Sequence, residues 1–335
     1  MQSGSTTEAL TLSRSPGELL RQELVQVEAE LLRHSVSEVE VIQEAARHIL
    51  GAGGKRIRPQ MLILATQVAG GSVARAIPLA AAAELVHTAT LVHDDIVDDS
   101  DSRRGRTAVQ FRFGNSASVL MGDYLVVRAF SIAAEDGDKR LWRILTDTIC
   151  RMCEGEVLQI CVKGDTSISV DVYETVIECK TALLMSTCTR FGALIGCLPE
   201  RQTEALADYG YHVGMAFQIA DDILDFVGDE ETLGKPVGGD LREGKVTLPV
   251  IYALESATPS QREELLELYR KPGPLRTEDI RRACEIIDAS GGFARARSRA
   301  RDYIARACEC LELLPPSEAR TALWILAEQI VDRDK

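Results

Sequence analysis

Two short segments, Asp94-Asp95-Ile96-Val97-Asp98 and Asp221-Asp222-Ile223-Leu224-Asp225, share the form D-D-x-x-D. Each follows apolar sequence, Thr88–Val92 in one case and Gly214–Ala220 in the other. On a helix, residues four apart lie about 40° apart around the axis, so Asp94 and Asp98 share a face and Asp95 lies on its flank. The second cluster repeats that arrangement. Carboxylates this close repel one another, and at a helix C-terminus they also oppose the macrodipole. Each cluster therefore calls for a cation. A solvated acidic helix end would explain one such cluster, but not two copies embedded in apolar sequence. Hard oxygen ligands suit Mg²⁺, which keeps several waters and binds through one or two carboxylates plus substrate phosphates. No Cys/His set with zinc spacing accompanies them. Two such clusters facing each other would hold a diphosphate between them.

Phosphate needs positive charge, and the basic residues fall at the breaks between helical stretches. Gly53-Gly54-Lys55-Arg56-Ile57-Arg58-Pro59 is a Gly-rich turn leading into a helix, and a helix N-terminus favours anions. It lacks the spacing of a P-loop. Arg103-Arg104-Gly105 follows the first acidic cluster, and Lys180-Thr181 interrupts an apolar helix. Gly234-Lys235-Pro236 and Gly244-Lys245 bracket the segment after the second cluster. His87 precedes Asp94 on the same helix, with Glu84 nearby, and is read as a phosphate contact.

The elements that must position these groups are helical. Aromatic residues make up 5% of the 335-residue chain, β-branched alternation is scarce and helical periodicity dominates. Helices are expected at 17–33, 38–50, 58–69, 76–99, 115–135, 139–161, 171–197 and 201–227, with shorter ones following. Ser15-Pro16 reads as an N-cap with proline at the first helical position, Ser37/Glu40 and Thr258/Gln261 as capping boxes, and Ser317 as the cap of the last helix. Breaks are expected at 51–54, 70–71, 102–106, 163–167 and 228–244, and no strand run is evident. The expectation is an all-α fold, a single helical bundle over 17–335 with a deep central cavity, after a polar tail at 1–16.

Composition narrows the function classes. A net charge of −13 argues against a nucleic-acid partner, which wants a basic excess. No run of about 18 uncharged apolar residues predicts a membrane span. The first residues lack the apolar core of a signal peptide, so a cytoplasmic location is expected. The nine cysteines, with close pairs at Cys150/Cys153 and Cys308/Cys310, are expected as reduced thiols.

The sequence resembles the trans (E) polyprenyl diphosphate synthases, of the medium- and long-chain type, over roughly residues 17–333. The segments that carry the resemblance are GGKRIRP (53–59), ELVHTATLVHDDIVDDSDSRRG (84–105), GNSASVLMGDYL (114–125), GEVLQ (155–159), KTALL (180–184), FQIADDILD (217–225) and GKPVGGDLREGKVTLP (234–249). The resemblance implies an isoprenoid-synthase bundle, usually a homodimer, that condenses an allylic diphosphate (farnesyl or geranylgeranyl) head-to-tail with isopentenyl diphosphate. It implies Mg²⁺ as cofactor, about three ions per site with substrate bound. Asp94, Asp98 and Asp221 would be the main ligands, supported by Asp95, Asp222 and Asp225. Lys55, Arg58, His87 and Arg104 would hold isopentenyl diphosphate. Arg103, Lys180, Lys235 and Lys245 would hold the allylic diphosphate, with Thr181 and Gln218 beside the developing cation. The chain departs from the family where a Lys often precedes the last Asp: here Gly239 precedes Asp240.

In the family, bulky aromatics four or five residues before the first Asp stop chain growth early. Those positions are Thr90 and Ala89 here, with Val86 a turn deeper, which points to roughly C30–C50 products, with C20 as the alternative. Such products serve quinone side chains or related isoprenoids. A class I terpene cyclase would need an Asn/Asp–Ser/Thr–Glu second motif, which Asp221–Asp225 does not supply. A non-catalytic subunit of a heteromeric synthase should have lost one acidic cluster, and both are intact.

Overall fold

The computed structural model describes residues 15–51, 53–98, 102–103, 106–228 and 237–331. The chain forms α1 (Pro16–Leu19), α2 (Arg21–His34), α3 (Glu40–Leu50), α4 (Ile57–Val68), α5 (Val73–Val97), α6 (Val109–Phe113), α7 (Asn115–Glu135), α8 (Lys139–Cys161) and α9 (Val170–Ile177). A π-turn at Glu178–Ala182 leads into α10 (Leu183–Ile195), followed by α11 (Glu200–Val227). Then come α12 (Gly239–Arg242), α13 (Leu248–Ser256), α14 (Pro259–Arg270), α15 (Thr277–Ala289), α16 (Gly292–Leu311) and α17 (Glu318–Val331).

The expected caps form where the side chain can reach back. Ser15 and Glu18 make a capping box, Thr258 and Gln261 make another, and Ser317 Oγ accepts from Arg320 N. Ser37 does not cap α3. Its hydroxyl is taken by Val39 N, and α3 starts at Glu40 after an uncapped Val39. The stretch expected as one helix at 17–33 is broken at Leu20. α5 starts earlier than expected because Ser72 Oγ accepts from Arg75 N. At the expected break after the first acidic cluster, Ser102–Arg103 (β1) pairs antiparallel with Arg106–Thr107 (β2), a short ribbon that composition did not predict.

α4 is buried nearly all round, with Met61 to Ala65 wholly inaccessible, and therefore lies at the centre. It packs on α5 and α10; α5 packs on α7, α7 on α8, and α8 on α10 and the π-turn. α11 packs on α10, the π-turn and α16. Two glycines set the close approaches. A Cβ at Gly155 would stand 2.3 Å from Cys179 Cβ, and one at Gly214 would stand 2.5 Å from Ala182 Cα. α8 and α11 therefore press directly on the π-turn from two sides. A π-turn inside a helical run is rare and clusters at functional sites; this one lies where the sequence interrupts an apolar helix with Lys180 and Thr181.

α5 and α7 are long and apolar enough to cross a membrane by length and composition alone. The apolar part of α5 is 72% buried, so its hydropathy is that of a core helix; that of α7 is 39% buried. The nine cysteines form no disulfide.

Candidate active site

α5 and α11 deliver the two acidic clusters, each at a helix C-terminal end, and lysines from distant elements meet the first. Lys180 Nζ, on the π-turn, lies 3.3 Å from Asp94 Oδ2 and 2.8 Å from Glu156 Oε1 of α8. Lys245 Nζ lies 2.9 Å from Asp98 Oδ2 and 2.5 Å from Glu243 Oε2. Burial works against the Lys180 ammonium, but Asp94 and Glu156 outweigh it and its pKa rises. Burial likewise opposes the Lys245 charge, and Asp240, Glu243 and Asp98 reverse the sign. Burial raises the Glu156 pKa, against the pull of Lys180. The two lysines line one cleft with Tyr173, Gln218, Asp222 and Asp240.

The second cluster is held differently. Asp222 is buried; its Oδ2 accepts from Tyr173 Oη at 2.6 Å and its Oδ1 from Gln218 Nε2 at 2.9 Å. Thr181 Oγ1 in turn donates to Gln218 Oε1 at 2.7 Å. Burial raises the Asp222 pKa to about 7, with Asp221 and Asp225 adding to the rise, while the hydrogen bonds from Tyr173 and Gln218 hold it down. Asp225 is also buried and works on the following chain: its Oδ2 accepts from Asp240 N at 2.9 Å and its backbone oxygen from Gly238 N at 2.7 Å. Asp221 is half-buried on the same helix.

The sequence-derived residues for isopentenyl diphosphate are spread along α4 and α5. Lys55 is exposed and lines a hollow with Gln60 and Leu326; Arg58 is buried in the first turn of α4. His87 lines a pocket on the flank of α5 with Arg56, Glu84 and Asp95. Arg104 and Lys235 lie outside the described residues, and Arg103 is described only as part of β1. Glu84, in the same pocket, is engaged elsewhere. It pairs with Arg56 Nη1 at 2.8 Å, and Arg56 also takes Glu28 at 2.6 Å. Of the chain-length positions, Val86 and Ala89 are fully buried on α5, and Thr90 folds its hydroxyl back onto His87 O at 2.8 Å.

Two functional partners escaped the sequence reading. Glu156 lies in the GEVLQ segment, so a signal for it existed. Tyr173 is a single aromatic, 49 residues from the carboxylate that it reaches, and nothing in the sequence singles it out.

The first cluster fits a divalent cation on the chemistry of its donors. Asp94 and Asp98 are hard oxygen donors on one face, and in this structure each meets a lysine ammonium, a monovalent stand-in for a bound cation. Among the described residues no three His, Cys, Asp or Glu converge on one point. A metal here would complete its shell with water and substrate phosphate, the usual habit of Mg²⁺.

A family model described as polyprenyl synthetase matches residues 39–287. The chain is 38% identical to the octaprenyl diphosphate synthase of Escherichia coli (strain K12), covering 95% of this chain and 98% of that protein. It is 40% identical to heptaprenyl diphosphate synthase component 2 of Geobacillus stearothermophilus, covering 94% and 97%. It is 38% identical to the short chain isoprenyl diphosphate synthase of Methanothermobacter thermautotrophicus, covering 91% and 95%. Among solved structures, the polyprenyl synthase from Caulobacter crescentus CB15 complexed with calcium and isoprenyl diphosphate superimposes with a TM-score of 0.91 at 38% identity, covering 95% and 97%. With this fold, these two acidic clusters and these matches along nearly its whole length, the chain belongs to the polyprenyl synthetase family.

Proposed function

We propose that the protein is a divalent-metal-dependent prenyltransferase. It condenses an allylic prenyl diphosphate head-to-tail with isopentenyl diphosphate and releases an all-trans polyprenyl diphosphate. The observation that carries this reading is the pairing of Lys180 with Asp94 and of Lys245 with Asp98 in one cleft. A diphosphate accompanied by a dication would trade partners there, the anion taking the lysines and the dication taking the carboxylates. Mg²⁺ would supply charge neutralisation on the leaving diphosphate. Lys180 and Lys245 add fixed positive charge on the same group, and in a desolvated cleft such charge counts for far more than in water. Thr181 and Gln218 provide neutral dipoles beside the carbon that becomes electron-poor, where a carboxylate or water would trap it. No side-chain base is needed, because the departed diphosphate can accept the proton.

The small Thr90 and Ala89 favour a product of roughly C30–C50 over C20; the relatives include both long- and short-chain synthases at similar identity. A homodimer would cover the apolar outer faces of α7 and α8, where Leu120, Val127, Trp142, Val157 and Ile160 stand exposed. The test incubates the isolated chain with Mg²⁺, isopentenyl diphosphate and farnesyl diphosphate, reads product masses, and measures assembly size by light scattering. Absence of any product longer than the primer from a folded dimer would sink the reading of this chain as a self-sufficient synthase.

A further inference from the structure

Asp222 has the sequence of a metal ligand and the surroundings of an orienter. It is 5% exposed, and both of its oxygens already accept, one from Tyr173 and one from Gln218. With both Asp222 oxygens accepting, the order of the bonds that follow is set by the geometry. The Gln218 NH₂ must face Asp222. Its Oε1 must therefore face Thr181, and the Thr181 hydroxyl must spend its proton on Gln218. Tyr173 is buried, packed in α9, and gives its only proton to this carboxylate. The order thus runs from two hydroxyls at the ends, Tyr173 and Thr181, through one amide to one carboxylate. Thr181 follows Lys180 directly, and Gln218, Asp222 and Tyr173 all line the cleft.

We propose that Tyr173 is a positioning residue for the reaction: through Asp222 it fixes the Gln218 amide with its oxygen turned toward Thr181. The Gln218 amide, which lines the cleft, is then held in one sense, its N–H groups turned to Asp222 and its oxygen to Thr181. This suits an allylic cation, and it needs no reorganisation when the carbon–oxygen bond breaks. Asp222 serves the second motif by holding this order, and the cation-binding task on α11 falls to its neighbours. Without the Tyr173 hydroxyl, one Asp222 oxygen is left buried without its donor. The carboxylate can then rotate, and the Gln218 amide loses its fixed sense.

This inference rests on the prenyltransferase reading, and the experiment separates the two. Tyr173→Phe removes one hydroxyl and little volume. Binding is measured by calorimetry, with Mg²⁺ and diphosphate present, for a pair of allylic analogues: one with a protonated nitrogen at the reacting carbon, and its uncharged carbon isostere. Tyr173→Phe is expected to weaken the cationic analogue about tenfold and the neutral one less than about twofold, with turnover falling about tenfold at unchanged KM for both substrates. An Asp222→Ala chain should show the same selective loss, with the Mg²⁺ concentration for half-activation unchanged. Equal losses for the two analogues, or no loss for either, overturn the proposal; so does a several-fold rise in the Mg²⁺ requirement of Asp222→Ala. A wild-type chain that forms no product overturns the functional reading instead. A melting temperature of Tyr173→Phe close to that of the wild type shows that the comparison is between folded proteins.

Discussion

Arg56 stands between two residues assigned to phosphate, Lys55 and Arg58, yet the structure gives it a different task. It is the N-cap of α4 in a left-handed conformation (φ 49°) and is 7% exposed. Its guanidinium reaches Glu84 on α5 at 2.8 Å, Glu28 on α2 at 2.6 and 3.1 Å, and Leu50 O at the end of α3 at 3.3 Å. Burial opposes this charge, and the two glutamates more than compensate, so its pKa is raised. Four helices are thus tied at one point. Arg56→Met keeps the length and removes the charge. Glu28, whose side chain is 43% exposed, turns to water; Glu84, at 5%, cannot. The cost is that of an uncompensated buried charge, about 3–5 kcal/mol. For a chain of this size that is a fall in Tm of roughly 4–7 °C. Thermal melting and urea unfolding measure it, with Lys55→Met as the control at less than about 0.5 kcal/mol because Lys55 is exposed. Removing the stranded charge as well, in Arg56→Met with Glu84→Met, should return at least half of the loss. An Arg56→Met chain that melts within about 2 °C of wild type, or a double variant no better than the single, refutes the reasoning.

Gly214→Ala drives a methyl into the Ala182 backbone at 2.5 Å. It should cost about 1–3 kcal/mol by overpacking and lower kcat by displacing Lys180 and Thr181; full activity would show that the π-turn tolerates movement. Ala89→Phe fills buried space on α5 and should shorten the product, read by mass spectrometry; an unchanged length distribution would mean that the chain grows elsewhere. Asp136 accepts from Arg75 through both oxygens, at 2.6 and 2.7 Å, and the Arg75 hydrogen bonds hold its pKa below the usual value. Its folded pKa is the lower one, so its stabilisation is present above the unfolded pKa of about 3.9 and is lost as pH falls through the folded value. Asp136→Asn should therefore be about 1–2 kcal/mol less stable at neutral pH. In urea titrations the gap should close below about pH 4, and a gap constant with pH would contradict the ionic assignment.

What the sequence determined by itself was local. Helical periodicity, Ser15, Thr258 and Ser317 as caps, and two D-D-x-x-D segments at helix ends all follow from spacing along the chain, and the fold class and a metal-bound diphosphate follow from them. The resemblance supplied the reaction class and the allylic-diphosphate role of Lys180 and Lys245. What required the tertiary structure was every pairing between residues distant in sequence. Lys245 and Asp98 are 147 residues apart, and Tyr173 and Asp222 are 49 apart; no periodicity encodes such meetings. Arg56 and Arg58 look alike in GGKRIRP, and only the positions of α2 and α5 make one of them a tie between helices. Asp94 and Asp222 occupy first and second places in equivalent motifs and likewise look alike. The difference arises because α5 turns Asp94 toward a lysine across the cleft, whereas α11 turns Asp222 toward a tyrosine buried in α9. A side chain's type fixes what it can bond; the packing of helices against one another decides what it does bond.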